Sequence, residues 1–139
     1  MALADPPEFD VAVATGVSIH AIGLEAFAQR IGGFRGSPPA QRKAHAERLA
    51  NSPVPFFAFE LCAEGQPVAC GQFALEDDLV GLYDVFTTAP ARRRGLAGAL
   101  CKHLLTYARL RGARHAYLQV ESENRAARSL YHRLGFTDA

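Results

Sequence analysis

The sequence lacks the features of a membrane protein or a nucleic-acid-binding protein. No stretch of the chain reaches the ~20 apolar residues of a membrane span, and no charged-then-apolar leader is visible at the start. The net charge of the 139 residues is +1, which provides no excess of positive charge for a polyanion. Lysine is scarce, because Lys43 and Lys102 are the only two. We therefore expect a cytoplasmic protein with no nucleic-acid partner and no membrane partner.

Cysteine and the common nucleotide-binding motifs are also sparse or absent. The three cysteines, Cys62, Cys70 and Cys101, are an odd number without the spacing of a metal site, and each lies in an apolar run. We expect these cysteines to be small, buried hydrophobic side chains of a protein in a reducing compartment, and we expect no metal site. The sequence contains neither the P-loop string G-x-x-x-x-G-K-S/T nor the dinucleotide fingerprint G-x-G-x-x-G. A P-loop nucleotidase and a dinucleotide-binding fold of the usual kind are thus disfavoured.

The order of hydrophobic patterns predicts an α/β fold in one domain. The expected elements are, in chain order, a strand at Phe9–Val13, a helix at Ile19–Ile31, a helix at Pro39–Ala50, strands at Phe56–Cys62, Val68–Leu75 and Leu79–Thr87, a helix from Gly95 to Gly112, a strand at Ala116–Val120 and a last helix before Gly135. The three central strands are expected to form an antiparallel meander. The later strand–helix–strand order implies a parallel pair joined by a crossover. The prediction is a mixed, mostly antiparallel, twisted sheet flanked by helices.

An arginine- and glycine-rich loop leads into the long helix. Such a loop at a helix N-terminus is suited to an anion, because free backbone N–H groups and the helix dipole both attract negative charge. Small residues let a phosphate approach the backbone, and arginines add charge-assisted hydrogen bonds. Taken alone, an exposed arginine cluster before an ordinary helix explains the pattern equally well. The residues in question are Arg92, Arg93, Arg94, Gly95, Leu96, Ala97 and Gly98.

A second motif follows in the last helix. The segment Glu123–Phe136 reads E-N-R-A-A-R-S-L-Y-H-R-L-G-F, and Arg92–Ala97 has the form R-x-x-G-x-A. With both motifs in this order, and a helix and a strand between them, the chain resembles the GNAT superfamily of N-acetyltransferases from about Leu82 to Phe136. The resemblance implies an acyl-CoA fold over residues 1–139, with residues 1–54 on the acceptor side and residues 55–136 as the CoA-binding core.

The resemblance also implies a cosubstrate and its binding residues. Acetyl-CoA would donate its acetyl group to an unidentified primary amine by direct attack of that amine. The loop from Arg92 to Gly98 would hold the pyrophosphate. The backbone of Val85, Phe86 and Thr87 would pair with the pantetheine arm, as an added strand pairs with a sheet edge. Asn124 would contact the pantetheine, although it is equally suited to cap the last helix.

Two residues are predicted to carry the chemistry. Tyr131 matches the tyrosine that acts as general acid toward the departing thiolate, although its helical spacing also allows a core position. The attacking amine must lose a proton, and Asp84 is the first candidate base, with Glu121 and Glu76 behind it. Each of these three carboxylates could instead be an ordinary surface group.

The chain departs from the family pattern at its end. A further strand usually follows the Gly-Phe pair, but only Thr137, Asp138 and Ala139 remain here. The final strand is therefore expected to be missing through shortening, to come from another copy in a homodimer, or to leave an open edge. The rival function is a catalytically inactive acyl-CoA-binding module. The acceptor stays open among small polyamines, drugs, amino acids and peptide N-termini.

Overall fold

The computed structural model describes residues 1–6 and 15–138. The strand predicted at Phe9–Val13 lies outside these residues. The described elements are β1 (Ala2–Ala4), β2 (Val17–Ile22), α1 (Leu24–Arg35), α2 (Pro39–Ala50), β3 (Phe56–Ala63), β4 (Gln66–Glu76), β5 (Leu79–Thr87), α3 (Leu96–Leu110), β6 (His115–Leu118) and α4 (Arg125–Arg133). A single turn of 3₁₀-helix at Ala89–Ala91 precedes α3.

The strands form one six-stranded sheet in the order β1-β6-β5-β4-β3-β2. β5 and β6 pair in parallel, and the other four pairs are antiparallel. The β3–β4 hairpin turns at Glu64 and Gly65, both with positive φ, as a tight two-residue hairpin requires. This arrangement confirms the predicted fold class, the meander and the parallel crossover through α3.

The helix predicted at Ile19–Ile31 is wrong in its first third. Val17–Ile22 is a strand that pairs with β3, from Val17 opposite Ala63 to Ile22 opposite Ala58. The helix begins only after Gly23, whose backbone is extended. The long-range ladder with β3 overrides the weak helical spacing, and the alternation of apolar and polar residues over Val17–Ala21 is a local strand signal that the sequence analysis missed.

Helix α1 also runs beyond its predicted end at Gly32-Gly33. It continues through both glycines to Arg35 and ends at Gly36, which has a left-handed backbone. A Cβ on Gly32 would lie 2.4 Å from Cγ of Arg42 in α2. Gly32 therefore allows α1 and α2 to pack closely, which explains a glycine inside the helix.

The sheet has a separate core on each face. α3 and α4 cover one face, where the buried residues include Phe59, Phe73, Leu82, Leu100, Leu104, Tyr131 and Phe136. α1 and α2 cover the other, with Phe27, Ile31, Leu49, Ala58 and Cys70. Within the described ranges, none of the helices is long and apolar enough to cross a membrane.

The edge of the sheet beyond β6 is covered by the chain itself. β1 pairs antiparallel with β6, with Leu3 opposite Ala116. On its other side Ala2 exchanges two backbone hydrogen bonds of 2.9 Å with Thr137. An open edge at β6 is therefore not found among the described residues, while a strand supplied by another copy and a shortened end remain predictions. The start of the chain lies where the strand after Phe136 was expected.

We predict that this docking contributes to stability. The Leu3 side chain packs against the core under α3 and α4, so Leu3→Ala should lower the free energy of unfolding by about 1–2 kcal/mol in urea titrations. Leu110 is 71% exposed and is the matched control, since Leu110→Ala should change the stability by less than about 0.5 kcal/mol. Equal stability of the two variants would mean that β1 is not docked in solution.

Candidate active site

β5 and β6 pair over only part of their lengths and then separate. The parallel register runs from Leu79 opposite His115 to Leu82 opposite Leu118 and ends there. β5 continues to Thr87, still paired with β4 on its other side. Between Leu82 and Thr87, the β6-facing edge of β5 has no strand partner among the described residues. An extended, amide-containing ligand could pair with this edge.

A β-bulge in β5 accompanies the separation. Phe86 pairs with Cys70 and Tyr83 with Gln72, so two residues of β5 stand opposite Gly71 alone. One of them, Asp84, has a φ of 54°, which bends the strand and redirects its side chains. A bulge at this position produces the opening between the two strands.

The side chains of Val85, Phe86 and Thr87, whose backbone is predicted to pair with pantetheine, point to different parts of the protein because of the bulge. The Val85 side chain packs into the core under α3, and the Phe86 side chain packs under α1. Phe86 stacks on Phe34 at 5.9 Å between ring centroids. The backbone carbonyl of Thr87 accepts a hydrogen bond of 3.1 Å from Nε of Arg92. The side chains of this segment are thus anchored in the two cores while its outer backbone edge stays accessible.

The N-terminus of α3 has the features of an anion site. Its N-cap is Gly95, which has a φ of 74° and gives no side-chain hydrogen bond to the first turn. A Cβ on Gly95 would meet nothing within 4 Å, so the backbone there faces open space. The first-turn N–H groups therefore remain available to a ligand. No acidic side chain occupies the first turn to compete for them.

Three exposed arginines, Arg92, Arg93 and Arg94, surround this helix end. Arg92 and Arg35 of α1 place their guanidinium carbons 5.8 Å from the Phe86 ring centroid, within the range of a cation–π contact. Arg93 has a φ of 66° and, like Arg94, forms no ion pair with the described residues. The predicted loop residues therefore come together at one helix end, with two arginines free to meet an anion.

Helix α4 borders the same end of α3. Asn124 caps α4, because its Oδ1 accepts a hydrogen bond of 3.1 Å from the backbone N–H of Ala127. This confirms the capping role considered for Asn124, while a contact with pantetheine remains a prediction. A Cβ on Gly98 would lie 3.3 Å from Cδ1 of Leu130, so Gly98 lets the two helices approach.

Tyr131 projects from α4 into the core beside α3. It is 8% exposed, and its ring contacts that of Phe136 edge-on at 5.9 Å. Burial, with a smaller contribution from Cys101, raises the pKa of Tyr131 well above the ordinary value for tyrosine. The phenol therefore stays protonated through the neutral range, as a proton donor must.

Asp84 lies on the opposite face of the sheet within a polar cluster. Its Oδ2 accepts a hydrogen bond of 2.9 Å from Nε2 of Gln72, and its Oδ1 lies 3.4 Å from a guanidinium nitrogen of Arg35. Nε2 of His45, in α2, lies 3.5 Å from Oδ2. The sequence analysis missed these three partners. Only Gln72 gives a local signal, as a polar residue within an apolar strand.

The two other candidate bases are exposed carboxylates. Glu121 lies beyond the end of β6, and Glu76 lies at the far end of β4 from Asp84. Glu76 is close to Tyr117, whose hydroxyl shares a hydrogen bond with that of Tyr83. Burial, this bond and the charge of Glu76 raise the pKa of Tyr117 to about 12. Neither Glu121 nor Glu76 has the set of polar partners that holds Asp84.

The candidate acid and the candidate base thus belong to different faces. Tyr131 lies in the core under α3 and α4, and Asp84 contacts α1 and α2. In the described part of the chain, no group of three or more His, Cys, Asp or Glu side chains could hold a metal ion.

Comparison with known proteins shows which family model and which curated protein this chain matches. The acetyltransferase (GNAT) family model matches residues 24–136. The ribosomal protein bS18-alanine N-acetyltransferase of Escherichia coli strain K12 is 31% identical over 84 residues. That alignment covers 60% of this chain and 57% of the relative, so it spans little more than half of the enzyme.

Solved structures share the fold over most of the chain. The crystal structure of the ribosomal-protein-S18-alanine N-acetyltransferase from Escherichia coli has a TM-score of 0.71 at 25% identity, covering 88% of this chain and 79% of that one. The aminoglycoside N-acetyltransferase AAC(6')-Iy in complex with CoA has a TM-score of 0.72 at 19% identity, covering 88% of both chains. The second likeness concerns the fold alone.

The buried Tyr131 phenol predicts a loss of stability at alkaline pH. Tyrosine in the unfolded chain ionises near pH ~10, whereas burial holds the proton on Tyr131 in the folded chain. Its contribution to stability is complete below pH ~10 and is lost as the pH rises further, by at most about 1.4 kcal/mol per pH unit. Urea titrations above pH ~10 should show a shallower decline for Tyr131→Phe than for the wild type. Identical slopes would mean that the phenol is not buried in solution.

Proposed function

This chain belongs to the acetyltransferase (GNAT) family, and on that premise we propose that it transfers an acetyl group from acetyl-CoA to a primary amine. The observation that carries the proposal is the opening between β5 and β6. It has an anion-binding helix end at one side, a buried phenol on one face of the sheet and a carboxylate on the other. A plain interaction domain would need none of these features together.

The chain's own residues fit the phosphates and the pantetheine arm of acetyl-CoA. The uncapped first turn of α3, the open space at Gly95 and the exposed Arg93 and Arg94 suit a pyrophosphate. The β6-facing edge of Val85–Thr87 suits the amides of pantetheine. Asn124, at the start of α4, is proposed to contact the same arm. When bound, acetyl-CoA supplies an activated thioester.

The proposed chemistry needs two proton movements. An alkylammonium with a pKa of ~10.4 is neutral in about one molecule in 2,500 at pH 7, so a nearby base is useful. Asp84 is proposed to take this proton on the α1 and α2 face. Tyr131 is proposed to give a proton to the departing sulfur on the other face. Burial keeps the phenol protonated until the thiolate departs, but the same raised pKa makes Tyr131 a weaker acid than an exposed tyrosine, so the proton transfer costs more free energy.

The charge distribution supports a division of roles within the single domain. Residues 1–84 contain eleven Asp and Glu against five Arg and Lys, whereas residues 85–139 contain three against ten. The basic part suits the anionic cosubstrate, and the acidic part suits a cationic acceptor. This charge division falls within the proposed CoA-binding core, residues 55–136, because residues 1–54 hold five acidic and five basic residues. We propose the assignment of residues 1–54 to the acceptor side on the family resemblance and not on charge.

The relatives suggest two classes of acceptor amine. One is a protein N-terminus, because the Escherichia coli relative is named for a ribosomal-protein alanine. The other is an aminoglycoside, from the structural neighbours. Three aromatic rings on the Asp84 face, those of Phe56, Tyr83 and Tyr117, offer a surface for either. We also propose a cytoplasmic location, since the buried thiols of Cys70 and Cys101 suit a reducing compartment.

Coenzyme binding should depend on Gly95. In Gly95→Glu, a side chain and a negative charge enter the proposed phosphate position, so the rise in melting temperature with acetyl-CoA should disappear. For the wild type, ligand at 100 times Kd should add about 2.7 kcal/mol of stability.

Gly112 provides the matched control for this variant. It follows the other end of α3, also has a positive φ and also faces open space. Gly112→Glu therefore introduces the same charge, also at a residue with a positive φ, without touching the proposed site. Its thermal shift with acetyl-CoA should equal that of the wild type. An equal shift in Gly95→Glu would place the phosphates elsewhere.

Turnover should depend on the Tyr131 hydroxyl. Tyr131→Phe keeps the ring, so acetyl-CoA affinity should stay within a few-fold, while kcat should fall by ~10²-fold or more. The assay would use acetyl-CoA with each of three acceptors in turn: a peptide with an N-terminal alanine, spermidine and an aminoglycoside. Tyr107→Phe is the control, because the Tyr107 hydroxyl bonds Arg111 near the far end of α3. Wild-type turnover in Tyr131→Phe would assign Tyr131 to packing alone, and binding without turnover in the wild type would favour the inactive module.

A further inference from the structure

A buried amide lies directly behind the proposed base. Gln72 is 1% exposed, and its Nε2 donates the 2.9 Å hydrogen bond to Oδ2 of Asp84. Its Oε1 is also buried and accepts no hydrogen bond from any described residue. An unsatisfied buried acceptor is costly and uncommon, so it requires a physical explanation.

The charge of Asp84 fixes the direction in which this amide points. An ionised carboxylate only accepts hydrogen bonds, so the NH₂ end of Gln72 must face it and the carbonyl end is left unpaired. A protonated Asp84 would carry an O–H donor instead. Rotation of the amide by half a turn would then bring Oε1 to that donor. The side chain can therefore satisfy either protonation state of Asp84, one at a time.

The other groups around Asp84 are less suited to this role than Gln72. Arg35 of α1 carries donors only, at 3.4 Å from Oδ1. His45 of α2 is more distant from Oδ2, at 3.5 Å. Cys70, on the same strand as Gln72, has its pKa raised to about 12 by burial and stays a neutral thiol. Gln72 is the closest partner of Oδ2 among the described residues and can both donate and accept.

We propose that Gln72 is a positioning residue whose side-chain amide rotates by half a turn each time Asp84 gains or loses a proton during acetyl transfer. The inference rests on the proposed function. One N–H bond of the acceptor ammonium breaks, an O–H bond forms on Asp84, and the amine keeps the electron pair with which it attacks. Gln72 breaks no covalent bond. It donates to Asp84 before the transfer and accepts from Asp84 after it, until the proton leaves to solvent.

The test replaces Gln72 with methionine, a side chain of similar length that can neither donate a hydrogen bond to Asp84 nor accept one from it as an amide does. In Gln72→Met, kcat/KM for the acceptor should fall at least tenfold, and the KM for acetyl-CoA should stay within twofold. The acid limb of the kcat/KM profile should move to higher pH, because the ionised form of Asp84 loses a donor. Gln66, exposed on the same strand, is the matched control, and Gln66→Met should leave both quantities unchanged.

A double-mutant cycle separates this role from simple packing. In an Asp84→Asn background, Gln72→Met should cause little further loss of kcat/KM, because the carboxylate that gains and loses the proton is absent. If the two substitutions instead lower kcat/KM by independent factors that multiply, and the acid limb of the pH profile of Gln72→Met does not move, Gln72 has only a packing role and the inference is overturned.

A measurement that needs no turnover tests the contact independently. With carboxyl-¹³C aspartate, the pH titration of the Asp84 signal should move to higher pH in Gln72→Met and stay in place in Gln66→Met. An unmoved signal would overturn the inference while leaving the acetyltransferase proposal intact. A shifted signal in a protein that turns over none of the three acceptors would refute the proposed function and, with it, the proton-transfer role.

Discussion

The arrangement of the site depends on one extra residue in β5. Opposite Gly71, the strand accommodates Asp84 and Val85 where a regular ladder has a single residue. A Cβ on Gly71 would lie 3.2 Å from Val85 and 3.3 Å from Leu104, so glycine leaves room for the bulge to pack against α3. The bulge sends Asp84 toward α1 and Val85 toward α3, and β5 parts from β6 just before it. A regular strand here would close the opening.

The charges on the two sides of this opening are held by different physical means. At the α3 end the positive potential comes from backbone N–H groups and side chains that have no competing partner, so a ligand can use it fully. At Asp84, the amide of Gln72, the guanidinium of Arg35 and the imidazole of His45 surround a single carboxylate. Arg35 also lies over the Phe86 ring, where Arg92 of the anion loop packs from its own side. A ligand that draws Arg92 toward a phosphate would therefore disturb a ring that Arg35 shares.

Local patterns predicted the parts of the fold that depend on local physics. The limits of α2 and β5 match the sequence prediction, because proline, glycine and hydrophobic period mark them directly. The Arg92–Gly98 loop and the Asn124 cap are also local segments: the loop leads into α3, and Asn124 caps α4. Most failures have a different cause. β1 at the β6 edge and the Arg35–Asp84–His45 cluster join residues far apart in sequence, whose pairing no single window contains, whereas β2 does carry a local strand signal.

The two groups proposed to carry protons differ in their surroundings. Tyr131 is enclosed by apolar side chains, and this environment keeps it neutral and protonated. Asp84 has polar partners at both oxygens, with Gln72 and His45 at Oδ2 and Arg35 at Oδ1. The proposed roles of acid and base therefore rest on two different surroundings, an apolar enclosure for the phenol and a polar cluster for the carboxylate. On the proposed assignment, the amine approaches from the Asp84 side and the thiol leaves on the Tyr131 side, so that neither group competes for the other's proton.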